Sequence, residues 1–436
     1  MDVLNMSELY SLSACRSHVR DFILTEFEVL SSTDNFYRLS PVQMSSLLQE
    51  NKLRIYSEYR LFELVMKWID EDRNDREKHV ATLISQLRLP LLSGEELVEK
   101  VSCVPIMREN MKCSDLLSEA KDYHIVVSKQ PLLQTDRTQV RSAMLSLVMC
   151  HSESLEAFNM DSKRHAYLKD APVPLYNPCV CVMDNFLYCC GGKYDNHDNN
   201  EIATARCFRY DPRFDTWYEL ASMNEARKDF AMVANSSGDK LYAIAGQDEN
   251  MLMCTVECFS VRENEWESCL SLRNAVFGHA VCICDELLYI SGGQRFDGYS
   301  HNVQCYNPET DLWTGKPDLL SARSNHCMKA VGGKIYVLGG NVEDPYNFPI
   351  PITSVEMYTP GDLSWTICKT TLNIREAGSV VVQGKVYIVG GIDGQHFFSN
   401  LIQTFDPEKD KVSHFAKYPS RIYGRACCAL TLTQDL

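Results

Sequence analysis

The 436-residue sequence predicts an α+β multidomain protein, in which an all-α domain is followed by an all-β six-bladed propeller. Three observations carry this prediction. Only one of the 21 glycines, Gly94, lies before residue 150, as expected where helices give way to strands and tight turns. Apolar residues follow a helical period in the first part, and a unit of roughly 50 residues recurs in the second.

The composition is that of a globular chain, with 45% hydrophobic and 23% charged residues. Because 58 acidic residues stand against 43 basic ones, the net charge is −15, and we expect no nucleic-acid partner. No apolar run of about 18 residues predicts a membrane span. The first residues lack the basic start of a secretory signal, so we expect reduced thiols and a cytoplasmic or, alternatively, nuclear location.

The 19 cysteines include no Cys-x-x-Cys pair of the kind found in zinc fingers. Cys179/Cys181 and Cys282/Cys284 are each two residues apart, so on a strand each pair would share one face and could form a thiol switch or a soft-metal site. The favoured interpretation is that these cysteines act as small buried hydrophobic groups. We predict neither a metal nor a cofactor.

Residues 1–125 are predicted to form the helical domain. Apolar residues between Leu61 and Ile69 fall on one stripe of a helix, and Ser57 is placed to cap its N-terminus. Ser40-Pro41-Val42-Gln43 has the pattern of another helix start. The polar, proline-broken segment 126–142 is expected to be a linker to the second domain, residues 143–436.

The second domain repeats an apolar run that ends in small residues, followed by an aromatic residue. Glycine pairs end four of the five clear runs: Gly191-Gly192, Gly292-Gly293, Gly339-Gly340 and Gly390-Gly391. In four copies a tryptophan follows the aromatic residue by seven positions: Trp217, Trp266, Trp313 and Trp365. We expect the glycines to allow sharp turns after buried strands, and the tryptophans to fill the seams between blades of a β-propeller.

A sixth, weaker copy precedes the five. Phe158 stands one repeat before Tyr210, and His165 occupies the position of the tryptophan. The last apolar run, at about 425–433, has no unit of its own. We predict that it pairs into the first blade and closes the ring, which removes both sheet edges.

The glycine pairs, aromatic residues and tryptophans resemble Kelch repeats over residues 143–436. The helical part resembles the BACK domain of the Kelch-like (BTB-BACK-Kelch) family, on matches that include Phe36-Tyr37-Arg38-Leu39-Ser40, Trp68-Ile69 and Arg88-Leu89-Pro90-Leu91-Leu92. The resemblance implies a substrate adaptor of a cullin-3 RING E3 ubiquitin ligase, whose BTB domain dimerises and binds the cullin while the propeller recruits a protein substrate. The sequence starts inside the BACK-like region, so the expectation is a BTB-less isoform or fragment, with cullin binding weak or lost and dimerisation lost.

Partner binding is expected in the loops that follow the small-residue turns, and at basic residues between the repeat units. Acidic and aromatic loop residues suggest a partner peptide with basic and apolar groups, although solvation alone would also account for the acids. The predicted loop contacts are Asp195, His197, Asp248, Arg295, Tyr299, Asp344, Tyr346, Phe348, His396 and Phe397, and the basic residues are Arg227, Arg323 and Arg375.

No catalytic constellation is found in the sequence, which has neither a nucleophile elbow nor a phosphate-binding loop, and we predict no enzyme. His279 and His326 share one repeat position with Phe230, which favours packing over metal ligation. The competing function is a Kelch scaffold that binds actin or other cytoskeletal proteins without a ubiquitin role.

Overall fold

The structure is a computed structural model that describes residues 2–150, 154–196, 200–344, 346, 348–419 and 426–433. The chain divides into two compact units, a helical unit with residues 1–143 and a β unit with residues 144–432.

Short α-helices make up most of the helical unit. They are α1 (Asp2–Leu9), α2 (Ser13–Thr25), α3 (Phe27–Ser31), α4 (Asp34–Tyr37), α5 (Pro41–Leu48), α6 (Glu58–Glu71), α7 (Arg73–Arg76), α8 (Val80–Ile84), α9 (Pro105–Glu109) and α10 (Met111–Ile125). A π-helical turn covers Glu96–Val101, and 3₁₀ turns cover Glu77–His79, Leu89–Leu91, Val127–Leu133 and Asp136–Thr138.

Helix α6 buries one face in the core of this unit. The Ser57 hydroxyl accepts a hydrogen bond from the backbone N–H of Arg60 at 3.0 Å, as the sequence pattern predicts. The apolar stripe from Leu61 to Ile69 is buried, and Trp68 is fully enclosed. Helix α5 begins with the predicted capping box at Ser40. The caps and the stripe together account for where these helices start and which face they bury.

The segment 126–142, expected to be a linker, instead packs into the helical unit. The Arg141 guanidinium is buried, where its Nε donates to Glu58 Oε1 at 2.5 Å and its two Nη atoms donate to the carbonyl oxygens of Leu48 and Gln86 at 2.7 and 2.8 Å. Gln130 is also buried. Long-range contacts of this kind do not show in local composition, which explains why the segment reads as a connector in the sequence.

The strands of the β unit are β1 (Met144–Cys150), β2 (Leu155–Asn159), β3 (His165–Leu168), β4 (Cys179–Met183), β5 (Phe186–Cys190), β6 (Lys193–Asn196), β7 (Asn200–Ala203), β8 (Cys207–Asp211), β9 (Thr216–Leu220), β10 (Ala231–Ala234), β11 (Lys240–Gln247), β12 (Leu252–Ser260), β13 (Glu265–Cys269), β14 (Ala280–Cys284), β15 (Leu287–Ser291), β16 (Gln294–Arg295), β17 (Gly298–Tyr299), β18 (Val303–Asn307), β19 (Leu312–Lys316), β20 (Cys327–Val331), β21 (Lys334–Leu338), β22 (Asn341–Glu343), β23 (Pro349–Pro351), β24 (Ser354–Tyr358), β25 (Thr366–Thr371), β26 (Ile374–Arg375), β27 (Gly378–Val382), β28 (Lys385–Val389), β29 (Ile392–Asp393), β30 (Leu401–Asp406), β31 (Lys411–Lys417) and β32 (Cys427–Leu432).

Six four-stranded antiparallel sheets form the blades of a propeller. In chain order, blades 1 to 6 are β3-β2-β1-β32, β4-β5-β8-β9, β10-β11-β12-β13, β14-β15-β18-β19, β20-β21-β24-β25 and β27-β28-β30-β31. Strand β32 pairs with β1 in register from Met149↔Cys427 to Met144↔Leu432, so the predicted closure of the ring is confirmed. Blade 1 therefore joins the first and last strands of the β unit.

The tryptophans lie in the seams between blades. In blade 4, Trp313 stands directly opposite Tyr306, with 4.9 Å between ring centroids, and its indole N–H donates to the carbonyl oxygen of Leu270 in blade 3 at 2.7 Å. The same hydrogen bond to the preceding blade is made by Trp217, Trp266 and Trp365. In blade 1, His165 pairs opposite Phe158, as expected for the weaker copy.

The glycine pairs mark where one blade's backbone meets that of the next. Gly340 has a φ of +95°, and a Cβ placed there would lie 2.6 Å from the carbonyl oxygen of Ser324. Its N–H donates to the carbonyl oxygen of Ile374, in the segment that enters blade 6, at 2.9 Å. A side chain at this position would separate two backbones that need to touch.

Candidate partner-binding face

The loops that follow the second strand of blades 2 to 6 share one face of the propeller, which we call the loop face: residues 193–196, 200–203, 247–252, 294–299, 341–344, 346, 348–351 and 392–398. A backbone bridge ties each loop to the segment that enters the same blade. The bridges are Tyr176↔Lys193, Lys228↔Gln247, Phe277↔Gln294, Ser324↔Asn341 and Arg375↔Ile392. The rigid blades thus present the loops and the entering segments together.

Three of these loops are each ordered by an aspartate in the same way. Oδ1 of Asp248 accepts the backbone N–H groups of Asn250 and Met251 at 2.6 and 2.7 Å. Oδ1 of Asp344 does so for residues 346 and 348, and Oδ1 of Asp393 for residues 395 and 397. The hydrogen bond from the N–H of Asn250 is the largest cause that lowers the pKa of Asp248. The carboxylates therefore hold loop backbone in place, a role that solvation alone does not require.

Large apolar side chains stand exposed at the tips of the same loops. Their exposed fractions are 65% for Met251, 100% for Phe296, 81% for Tyr346, 66% for Phe348 and 57% for Phe397. They come from four consecutive blades, 3 to 6. Isolated exposed apolar residues are common, but a concentration on one face marks an interaction surface.

An open cleft of about 670 Å³ lies between the loops of blades 3 and 4. Its walls are residues 247–252, 274–275 and 295–297. Two predicted contact residues, Asp248 and Arg295, therefore come together there, and Arg295 is held by Asp297 with 3.3 Å between Nε and Oδ1.

The structure places two of the predicted basic contacts away from the surface. Arg227 and Arg323 have side chains with 0% exposure. Arg227 Nη2 donates to Glu257 Oε1 at 2.5 Å, and Arg323 pairs with the equally buried Glu356. Both arginines also donate to backbone carbonyl oxygens within their blades. These guanidinium groups lie inside the blades, so the prediction that they contact a partner is wrong.

The remaining predicted residues occupy mixed positions. Arg375 is largely buried, with its Nη2 3.3 Å from Nδ1 of the exposed His396. Tyr299 is half-buried, and its pKa is raised by burial and by the neighbouring Glu343 carboxylate. Asp195 lies on β6, whereas His197 lies outside the described residues.

The expected packing of two histidines agrees with the structure, and that of the cysteine pairs agrees in part. His279 and His326 are buried, and a Cβ on Gly293 or Gly340 would meet their Cβ atoms, so both rings pack beneath the glycine turns. Cys282 and Cys284 are buried as expected, whereas Cys179 and Cys181 are half-buried. Desolvation raises the pKa of Cys181 and of Cys282, which favours neutral thiols.

Sequence reasoning missed Met251, because a methionine in a variable loop carries no repeat signal. The structure identifies it as a candidate contact residue, because its side chain is exposed and lines the cleft.

Within the described ranges, no helix has the length and apolar character needed to cross a membrane. In the same part of the chain, no group of three or more His, Cys, Asp or Glu residues could hold a metal ion.

Comparison with known proteins agrees with both units. The family model "BACK: BTB And C-terminal Kelch" matches residues 1–102, and the Kelch motif model matches 174–224, 231–272, 275–320, 322–371 and 375–417. The solved structure of YjhT aligns with a TM-score of 0.53 at 13% identity and covers 60% of this chain and 90% of that chain, which supports the propeller fold alone.

Longer relatives extend the match over the whole chain. Kelch-like protein 31 of Homo sapiens is 34% identical over 449 residues, covering 100% of this chain and 70% of that protein. Kelch-like protein 26 of Homo sapiens is 33% identical over 448 residues, covering 99% and 72%. Kelch-like protein 36 of Bos taurus is 29% identical over 452 residues, again covering 99% and 72%. With its BACK region and its six-bladed Kelch propeller, the chain belongs to the Kelch-like family.

Proposed function

We propose that this chain is the substrate-recognition part of a cullin-3 RING E3 ubiquitin ligase, and that its loop face binds the protein to be ubiquitinated. Membership of the Kelch-like family supports an adaptor role, and the propeller is the unit suited to protein binding. The proposed location is the cytoplasm, where such a ligase would meet its substrates, or the nucleus.

The exposed apolar side chains on the loop tips carry this proposal. The side chains of Phe296, Tyr346 and Phe348 are exposed to water, which is unfavourable for large apolar groups. Aromatic residues are enriched among the side chains that dominate protein interfaces. The Asp344 cap orders the loop that holds Tyr346 and Phe348, so this loop loses little conformational entropy when a partner binds.

Quantitative co-precipitation tests the assignment to the loop face. We expect Tyr346→Ala/Phe348→Ala/Phe397→Ala to lose the partners that the wild-type chain recovers. Leu363→Ala is the matched control, because this exposed leucine follows the third strand of blade 5, at the strand ends away from the loops. Equal recovery by wild type and the triple variant would remove the loop face as the binding surface.

The ubiquitin role is tested on the partners found in that way. If the chain is a ligase adaptor that retains cullin binding, its expression lowers partner levels, and proteasome inhibition restores them. Sedimentation with actin filaments tests the competing scaffold function. Filament binding without proteasome-dependent loss would favour the scaffold.

A further inference from the structure

The cleft between blades 3 and 4 has the size of a site for several side chains of a partner. Its volume of about 670 Å³ lies within the range of roughly 300–1,000 Å³ that is typical of ligand pockets. It opens on the loop face, and its walls come from two loops and the entering segment of blade 4. An extended peptide segment can therefore lie across it from one blade to the next.

Each of the two loops contributes a large apolar side chain to this cleft. Met251 comes from blade 3 and Phe296 from blade 4, and both are exposed. Methionine adapts its shape to a partner, and phenylalanine offers a flat apolar surface. The two residues form the apolar part of the site.

One carboxylate of the cleft, that of Asp248, has no ion-pair partner in the described part of the chain, although the charge of Lys228 helps to lower its pKa from a longer distance. Glu249 is 3.1 Å from Lys228 Nζ, and Asp297 is paired with Arg295. Asp248 forms no ion pair among the described residues, and its Oδ1 accepts backbone N–H groups of its own loop. Its carboxylate is therefore available to a basic group of a partner.

We propose that this cleft is a peptide subsite, which takes a lysine or arginine beside a bulky apolar side chain from an extended segment of the partner protein. The Asp248 carboxylate pairs with the basic group, while Met251 and Phe296 cover the apolar one. This inference rests on the proposed binding role of the loop face. Charge complementarity favours this occupant. The Asp248 carboxylate would repel an acidic segment, and the nearby cations Lys228 and Arg295 are already paired with Glu249 and Asp297.

Selection from a phage-displayed library of random heptapeptides on the purified full chain tests this inference. We expect enrichment of peptides in which a basic residue neighbours an aliphatic or aromatic one. In Asp248→Asn the amide oxygen can still accept the loop N–H groups, so the loop stays ordered while the charge is lost. Enrichment of basic residues should then fall to the library background, and enrichment of apolar residues should remain.

Asp393→Asn is the matched control, because Asp393 caps a loop of blade 6 outside the cleft. It should keep the wild-type preference, and Met251→Ser/Phe296→Ser should lose the apolar preference. For a single peptide, the Asp248→Asn effect should be at most about fivefold in Kd, as for an exposed ion pair.

A basic preference that survives in Asp248→Asn, an enrichment of acidic peptides, or no enrichment by the wild-type chain would each overturn the subsite. Those results leave the co-precipitation test untouched. Loss of partner recovery in the loop-tip triple variant would still support the proposed function, so the two failures can be told apart.

Discussion

Replacing Arg323 by alanine should destabilise the propeller instead of removing a surface contact. The Arg323 side chain has 0% exposure and is paired with Glu356, which is buried to the same degree. Arg323 also donates to the carbonyl oxygens of Gly339 and Ser354 at 2.9 and 3.0 Å. Alanine would leave a buried carboxylate and two buried acceptors without these donors.

The expected cost is about 3–5 kcal/mol in the free energy of unfolding, as for a buried ion pair from which one partner is removed. This is a large part of the total stability of a typical domain, roughly 5–15 kcal/mol. The melting temperature should fall by on the order of 10 °C. Arg323→Met/Glu356→Leu removes both charges and should regain most of this loss, because no charge is then left buried alone.

Urea unfolding followed by tryptophan fluorescence measures this effect, since four of the five tryptophans lie in the propeller. Arg295→Ala is the control, because the pair that it breaks is partly exposed and should contribute at most about 1 kcal/mol. Wild-type stability of Arg323→Ala, combined with loss of partner binding, would refute the burial argument and restore Arg323 to the binding surface.

Three further predictions concern a turn, a loop and a thiol. Gly340→Ala should lower the free energy of unfolding in urea by more than about 1 kcal/mol, because Gly340 has a positive φ and an added Cβ would clash with the Ser324 carbonyl oxygen. Gly94→Ala should be neutral or stabilising, because a Cβ at Gly94 would meet nothing within 4 Å. Equal stabilities of the two variants would contradict the turn argument. Asp344→Ala should raise the rate of amide hydrogen exchange in the loop that Asp344 caps, because alanine lacks the capping oxygen. Asp344→Asn keeps such an oxygen and should keep the exchange slow. Matching exchange in the two variants would exclude the cap. Hydrogen bonding with Cys258 lowers the pKa of Cys269, and Cys269 is half-buried whereas Cys258 is buried. Iodoacetamide should therefore label Cys269 before Cys258 at pH 7.5, as read by mass spectrometry, and the reverse order would count against this argument.

The repeat pattern was enough to predict the blades, the seam tryptophans and the closing strand. Each of these depends on signals within one unit, such as the glycine pair or the spacing between Tyr306 and Trp313. The same signals could not show that Asp311, two residues before Trp313, accepts the backbone N–H of Leu270 from the neighbouring blade at 2.8 Å. That contact exists only once two blades are packed.

The candidate site was predicted less completely. The exposed aromatic residues Tyr346, Phe348 and Phe397 were found because they lie in loops after the glycine pairs. The burial of Arg227 and Arg323 could not be foreseen, because their partners Glu257 and Glu356 are about 30 residues away in sequence. A basic residue in an apparent loop looks exposed until its long-range partner is known.

The central claim is that exposed apolar loop tips, held by the blades, bind the partner protein. The most direct measurement compares partner recovery by the wild-type chain, by Tyr346→Ala/Phe348→Ala/Phe397→Ala and by Leu363→Ala, after thermal unfolding has shown the three proteins to be equally folded. We predict that recovery falls to background in the triple variant and stays at the wild-type level in Leu363→Ala. Full recovery by the triple variant, or equal loss in both, would contradict the claim.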